Sequence, residues 1–130
     1  MELIDLIRQE RIIPTFNIIP PPLPMDGWTD DDIANHITKL NCSNNELTSL
    51  PPLPLVTDLF CSNNQLTSLP PLPLVTRLWC DNNQLRSLGA SPQGVTSLPP
   101  LPLVTNLWCG NNQLTSLPHL PSIIKLYLYL

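Results

Sequence analysis

The chain has 130 residues, of which 42% are apolar and only 12% charged, a composition that suits one domain with a hydrophobic core. Its formal net charge is −4 with six basic residues, which argues against nucleic acid as a main partner, because that binding requires Lys and Arg to neutralise phosphates. Prolines interrupt every apolar stretch well before the roughly 18 residues of a membrane-spanning helix, so we expect no membrane span.

Residues 1–36 do not repeat, and we interpret them as an N-terminal cap. Thr29 and Asp32 have the spacing of a capping box, which predicts a helix running through His36. Residues 18–24 resemble half of the repeat that follows. A shorter helix near the start would place three residues on one apolar face: Leu3, Ile4 and Ile7.

The start of the chain does not resemble a secretory signal. Glu2 and Asp5 are acidic, and the apolar pattern around them is broken, whereas a signal peptide has a basic segment followed by an apolar one. We therefore expect a cytoplasmic protein, or one exported by a route that leaves no such signal.

Residues 37–130 repeat the unit VTxLxCxNNQLTSLPPLPL, with spacings of 19, 19, 29 and 19 residues between equivalent leucines. The unit contains the LxxLxLxxNxL pattern of leucine-rich repeats, in which each turn supplies one short strand and needs a neighbour to bury its apolar side. We predict a solenoid of four units and a partial fifth, with parallel strands on the concave face. The equivalent leucines are Leu40, Leu59, Leu78, Leu107 and Leu126.

Six positions of the unit are apolar and should form columns through the core. With Val56 as position 1, they are positions 1, 4, 6, 11, 14 and 17. In that repeat they are Val56, Leu59, Cys61, Leu66, Leu69 and Leu72.

The four cysteines share position 6, where a free cysteine behaves as a small hydrophobic residue. A zinc site needs converging ligands with close pairs such as CxxC, which the chain lacks. We predict buried, reduced and metal-free thiols rather than a metal site or disulfides. The four are Cys42, Cys61, Cys80 and Cys109.

The second half of the unit should not form a helix. Adjacent prolines lack N–H donors and favour extended backbone, so TSLPPLPL should run as polyproline II across the convex side. The preceding asparagine at position 9 can satisfy backbone groups where the chain turns inward, which predicts a buried ladder. Its members are Asn45, Asn64, Asn83 and Asn112.

The recurrent SLPPLP and SLPHLP motifs, from residue 40 to residue 121, resemble the LPX subclass of bacterial leucine-rich repeats. That subclass occurs in type III secreted effectors, and similar repeat proteins with cysteine at position 6 occur in giant viruses. The resemblance implies a helical N-terminal cap, a protein-binding role and, for an effector, residence in the host cytoplasm. Effectors that are ubiquitin ligases carry a catalytic CxD cysteine after the repeats, a motif that this chain lacks.

The third repeat exceeds the others by ten residues, 89–98, with the sequence GASPQGVTSL. Its second TSL indicates a partial duplication, accommodated as a loop toward the convex side. Such a loop could bind a partner, but a neutral duplication is the simpler interpretation.

Outward-facing positions of the strands identify the candidate binding site. Strand side chains alternate, so positions 3, 5 and 7 should face out if positions 4 and 6 face in. Position 5 is Asn41 in the first repeat and aromatic in the next four, which gives the column Phe60, Trp79, Trp108 and Tyr127. Contiguous exposed aromatics favour a partner-binding surface over the alternative, a stack that only stabilises the strands.

Position 3 runs beside this column and alternates in sign. Its residues are Lys39, Asp58, Arg77, Asn106 and Lys125. We assign Asp58 and Arg77 to the binding surface, although exposed ion pairs of little energetic weight are the more economical interpretation.

No residue is assigned to catalysis, to a cofactor or to a metal. His36 and His119 are the only histidines, and neither can lie beside a nucleophilic cysteine if the cysteines face inward. The three aspartates at 30–32 lack the alternating ligands and distal glutamate of a calcium loop, so favourable charge at a helix start explains them better.

We therefore expect a non-enzymatic protein that binds another protein through its concave aromatic face. A second hypothesis is the substrate-targeting arm of a larger effector or ubiquitin ligase, and a third is a self-assembling structural protein. Ile123, Leu126 and Leu128 should continue the core columns at the C-terminus, while Tyr127 and Tyr129 face outward. An unpaired apolar strand invites edge pairing, so we expect a homodimer through this strand or a longer natural protein.

Overall fold

Six short strands form one sheet in the computed structural model, which describes residues 2–21, 25–86 and 99–128. The strands follow one another in the sheet in chain order, and β2 to β6 are parallel. The elements are α1 (Leu3–Arg8), β1 (Thr15–Phe16), α2 (Asp30–His36), β2 (Ile37–Asn41), β3 (Asp58–Phe60), β4 (Arg77–Trp79), β5 (Asn106–Trp108) and β6 (Lys125–Tyr127).

The parallel strands pair in register, each repeat position beside its equivalent. Leu40 pairs with Leu59, and the pairing continues through Leu78 and Leu107 to Leu126. The ten-residue excess of the third repeat does not shift this register, since Leu78 pairs directly with Leu107. Residues 89–98 themselves lie outside the described residues, as does Tyr129.

The predicted core columns are confirmed in the turns from β2 to β5 but not at β6. Leu126 and Leu128 were expected in the core, yet they are 43% and 41% exposed, because no described turn packs beyond β6. In the repeat that starts at Val56, the residues at all six apolar positions are buried, and Leu69 has the largest exposed fraction at 8%. All four cysteines are buried and free. The proline-rich segments between strands contain no helix within the described ranges, as their missing N–H donors predict. A turn closes one of them, with the Val56 N–H donating to the Leu53 carbonyl at 3.3 Å.

The position-9 asparagines form the predicted ladder between turns. The Asn64 amide nitrogen donates to the carbonyls of Cys42 and Cys61, both at 3.0 Å. Its side-chain oxygen accepts from the backbone N–H groups of Asn45 and Leu47, at 3.0 and 2.9 Å. One side chain thus satisfies buried backbone groups of two successive turns. Asn83 repeats the arrangement, whereas Asn45 and Asn112 at the two ends are only half-buried.

The asparagine at position 8 has a separate backbone role that the sequence analysis missed. The position-8 residues adopt left-handed backbone with φ between 53° and 62°: Asn44, Asn63, Asn82 and Asn111. Asparagine tolerates this conformation better than most residues with a side chain. The NN pair of each repeat therefore combines a turn-forming residue with a ladder residue.

Threonines at position 2 add a third ladder at the start of the strands. The Thr57 hydroxyl donates to the Thr38 carbonyl at 3.2 Å, and Thr76 and Thr105 make the equivalent bond to the preceding turn. The Thr38 carbonyl also accepts one backbone N–H group, and the Thr57 and Thr76 carbonyls each accept two.

The N-terminal segment covers the first turn with the two predicted helices. The capping box of α2 is formed: Thr29 accepts from the Asp32 N–H, and the Asp32 carboxylate accepts from the Thr29 N–H. Arg8 joins the helices by donating to the Trp28 carbonyl at 2.8 Å and to the Asp30 carboxylate at 3.1 Å. The buried face of α1 contains Leu3, Ile4, Leu6 and Ile7.

Strand β1 was not expected from the sequence. It pairs antiparallel with β2, with Thr15 opposite Lys39, and so extends the sheet on the N-terminal side. The half repeat expected at residues 18–24 lies partly outside the described residues. Neither helix, at six and seven residues, is long and apolar enough to cross a bilayer, and the described part of the chain has no other helix.

The asparagine ladder predicts unequal effects of two identical substitutions. Asn64→Ala leaves several buried backbone groups without partners, so the free energy of unfolding should fall by about 3 kcal/mol. Asn45→Ala, at the half-buried end of the ladder, removes side-chain bonds only to carbonyls of its own turn and should lower it by about 1 kcal/mol. Urea denaturation of both variants measures the difference, and equal losses would contradict the ladder's role.

Burial of the thiols predicts a loss of stability in alkaline solution. Burial raises the pKa of Cys42 from 9.0 to about 12 and that of Cys109 to about 11, and raises those of Cys61 and Cys80 as well. Between about pH 9 and pH 11 the unfolded chain loses thiol protons that the folded chain keeps. The free energy of unfolding should then fall by about 1.4 kcal/mol per pH unit for each such thiol.

Urea denaturation at intervals from pH 7 to pH 11 measures this slope. A Cys61→Ala variant is the matched control, since it removes one thiol from the column. The decrease in the free energy of unfolding per pH unit should be smaller by the contribution of that thiol. Identical slopes in the two proteins would show that Cys61 ionises equally in the folded and unfolded states.

Candidate functional site

The face of the sheet opposite the core is formed by positions 3 and 5, and we refer to it as the concave face. In β3 the buried Leu59 lies between half-buried Asp58 and Phe60, as strand alternation requires. In β4 the buried Leu78 lies between Arg77 and Trp79 in the same way. Position 7 was also expected to face outward, but it lies beyond the strands. Ser62 there is only 8% exposed, and its hydroxyl donates to the Asp81 carboxylate.

The predicted aromatic residues stack in one continuous column. The ring centroids of Phe60 and Trp79 are 4.3 Å apart, and those of Trp79 and Trp108 are 4.1 Å apart, with interplanar angles of 16° and 2°. Tyr127 meets Trp108 edge-on, at 4.7 Å and 74°. In-register strands are spaced about 4.8 Å apart, which is close to the spacing of stacked rings. We call Phe60, Trp79, Trp108 and Tyr127 the aromatic array.

Stacking covers both faces of the Trp79 ring, against Phe60 and Trp108, and leaves ring edges accessible. Phe60, Trp79 and Trp108 are half-buried, and Tyr127 is 39% exposed. Within the described residues no hydrogen bond uses the indole N–H of Trp79 or Trp108. The ring faces therefore contribute to the contacts between strands, while ring edges remain accessible to solvent.

The position-3 residues are mainly basic, and two of them form an ion pair. Arg77 donates to the Asp58 carboxylate at 3.1 Å, with 49% and 18% of the two side chains exposed. Its guanidinium carbon also lies 5.2 Å from the centre of the Phe60 ring. An exposed pair of this kind contributes less than about 1 kcal/mol. The predicted site residues Asp58 and Arg77 thus border the aromatic array, but they are paired with each other.

The remaining position-3 cations are Lys39 and Lys125, which make no ion pair within the described residues. The column holds three of the six basic residues of the chain and one of its ten acidic residues. The concave face is therefore locally basic on an acidic protein.

The N-terminal end of the concave face contains a cavity that sequence reasoning missed. Its volume is about 300 Å³, and one wall comes from the segment around β1. The lining residues include Ile13, Thr15, Lys39, Asn41, Phe60 and Arg77. The short Thr15–Phe16 pair after a proline was too weak a signal to predict β1, and only strand pairing brings Thr15 beside Lys39.

The described residues assemble no catalytic or metal-binding set. His36 stacks on Trp28, and its Nδ1 atom lies 2.6 Å from the Asp32 carbonyl oxygen. His119 is exposed and far along the chain from it, and the cysteines are buried. No group of three His, Cys, Asp or Glu side chains converges within the described ranges.

Comparison with known proteins supports the repeat assignment. A family model described as Leucine Rich repeats (2 copies) matches residues 35–73. No curated protein and no solved structure matches the chain. Leucine-rich-repeat domains generally serve as protein-interaction modules. The matched segment contains β2 and β3, and the same columns continue in register to β6, so the series of turns as a whole is a leucine-rich-repeat solenoid.

Proposed function

We propose that the protein binds another protein through its concave face, with the aromatic array at the centre of the contact. The observation that carries the proposal is the position of the four rings. They form one contiguous column on the face opposite the core, while leucine, valine and cysteine already fill that core. Trp and Tyr contribute most often to the binding energy of protein interfaces.

The accessible groups of the array suit a protein partner. The ring edges supply apolar contact area, and the indole N–H groups can donate to partner carbonyls. Stacked rings lose little conformational entropy on binding, because their neighbours already restrain them. The basic position-3 column beside them favours an acidic partner surface and affects the association rate most strongly.

The proposal extends to compartment and subclass. Four free thiols in one chain fit a reducing compartment, so we propose a cytoplasmic location. The recurrent SLPPLP motif and the position-6 cysteines favour the LPX subclass, including effector-like proteins. In a longer protein the same concave face would select the substrate for a catalytic domain elsewhere.

Truncation of the central rings tests the binding surface. The Trp79→Ala, Trp108→Ala double variant should lose capture of partners by at least about 100-fold, because large aromatic contacts contribute about 2 kcal/mol or more each. The measurement is quantitative affinity capture from a cytoplasmic extract, with circular dichroism to verify that the variant is folded.

The matched control removes exposed apolar side chains away from the concave face. Leu74 and Leu103, in the proline-rich segments, are 39% and 45% exposed. The Leu74→Ala, Leu103→Ala variant should capture the same partners as the wild type. If the folded tryptophan variant also binds normally, the aromatic array only stabilises the strands and the proposed site is wrong.

A second candidate function, self-association, is favoured by the outer edge of β6. No strand within the described residues pairs with this edge. Ile124 is 75% exposed, Leu126 43% and Leu128 41%, so apolar surface and unpaired backbone groups coincide. Pairing of two such edges by a two-fold axis would cover both and stop further growth.

Light scattering at micromolar concentration tests this association. The wild type should be a dimer, and Leu128→Lys should make it a monomer by placing a charge beside the edge. Ile19→Lys, at an isoleucine 95% exposed in the N-terminal segment, is the control that should remain dimeric. A monomeric wild type would contradict the dimer, and larger assemblies would favour a structural polymer.

A further inference from the structure

The aromatic array ends abruptly at Phe60, on the side that faces β2. Trp79 from β4 covers one face of the Phe60 ring. The next residue of the column on the other side is Asn41, which pairs in register with Phe60. The Asn41 side-chain oxygen accepts from the Ser43 N–H of its own chain segment at 3.2 Å. The column therefore lacks a ring at β2, and no described aromatic side chain covers that face of Phe60.

The cavity of about 300 Å³ lies at this gap. Phe60 and Asn41 line it on the array side, and Ile13 and Thr15 line it on the side of β1. Its volume is at the lower limit of small-molecule pockets, which extend from about 300 to 1,000 Å³. It thus suits a single planar side chain better than a cofactor. A ring inserted here would stack on Phe60 beside the Arg77 guanidinium, whose carbon lies 5.2 Å from the centre of the Phe60 ring. It would also contact Ile13, which is 83% exposed.

The charges around the cavity indicate which residues should flank the inserted ring. Lys39 and Arg77 line it together with one acidic residue, Asp58, which pairs with Arg77. Lys39 makes no ion pair within the described residues, so its ammonium group can receive a carboxylate. Electrostatic complementarity then selects an aromatic residue with an acidic neighbour.

We propose that the cavity beside Asn41 is the specificity pocket of the concave face and accepts an aromatic side chain flanked by acidic residues on the partner protein. The inserted ring completes the aromatic array at the position where β2 has none. This inference rests on the proposed function and adds to it the kind of segment that is recognised.

The probe is the peptide acetyl-Asp-Tyr-Asp-amide, titrated into isotopically labelled protein and followed by NMR. It should bind with a dissociation constant of about 1 mM, as expected for a few contacts, and shift the amide signals of Thr15, Asn41 and Phe60. Acetyl-Asp-Leu-Asp-amide lacks the ring and acetyl-Lys-Tyr-Lys-amide reverses the charge. Each should bind at least about tenfold more weakly. Absence of binding by the first peptide, or equal binding by all three, would overturn the proposal.

Substitution at the gap tests the location. Asn41→Trp should fill the cavity by extending the array and weaken peptide binding at least about tenfold, with unchanged or raised thermal stability. Leu74→Trp adds the same side chain in a proline-rich segment away from the concave face and should bind the peptide as the wild type does. Lys39→Glu should also weaken peptide binding, because it removes the cation without filling the cavity. This variant tests the location even if Asn41→Trp does not fold. Normal peptide binding by folded Asn41→Trp would overturn the pocket assignment.

Trp108→Ala separates this inference from the proposed function. Trp108 does not line the cavity, so the variant should keep its affinity for the peptide while losing capture of the whole partner. If the wild type binds no peptide but Trp108→Ala loses partner capture, the pocket assignment is wrong and the broader binding surface is supported. Normal capture by the Trp79→Ala, Trp108→Ala variant would contradict the broader surface.

Discussion

The core columns, the asparagine ladder and the aromatic array all depend on the in-register pairing of equivalent positions between successive strands. Register places Leu59 beside Leu78, Asn64 beside Asn83 and Trp79 beside Trp108, although these residues are 19 or 29 positions apart. A slip of one residue would turn the buried leucines outward and the aromatic rings into the core, and a large loss of hydrophobic burial opposes it. Since burial selects the register, the position of the binding surface follows from the packing of the core.

The turn after each strand stabilises this in-register pairing in every repeat. Where the chain leaves the sheet, backbone groups lose their strand partners inside a buried region, which is energetically unfavourable unless side chains replace them. The two asparagines of the NN pair solve this together. Asn63 adopts left-handed backbone with φ of 57°, and Asn64 hydrogen-bonds the groups that the turn leaves open. The polar ladder and the apolar columns therefore depend on each other, because neither forms unless the strands are aligned.

The aromatic array shows how one arrangement can serve stability and recognition. Ring stacking between neighbouring strands contributes to the fold, as cross-strand aromatic pairs do. The same stacking holds the edges of Trp79 and Trp108 in fixed positions toward solvent, so little freedom remains to be lost on binding. At Asn41 the column has no ring to cover the outer face of Phe60, so a ring face is left open there as well as ring edges.

Local and periodic patterns of residues predict the repeat period, the buried columns up to β5, the asparagine ladder, the capping box at Thr29 and the residues of the aromatic column. The NN pair of each repeat also contains Asn63, but two adjacent asparagines did not indicate that the first would adopt left-handed backbone. Three features emerge only from the assembled fold: the pairing of β1 with the sheet, the choice of Asp58 as the partner of Arg77, and the cavity between Ile13 and Phe60. These features join residues of the unrepeated N-terminal segment to the first turns, or select one side-chain conformation among several. No period relates such residues, so their proximity arises only when the whole sheet is assembled.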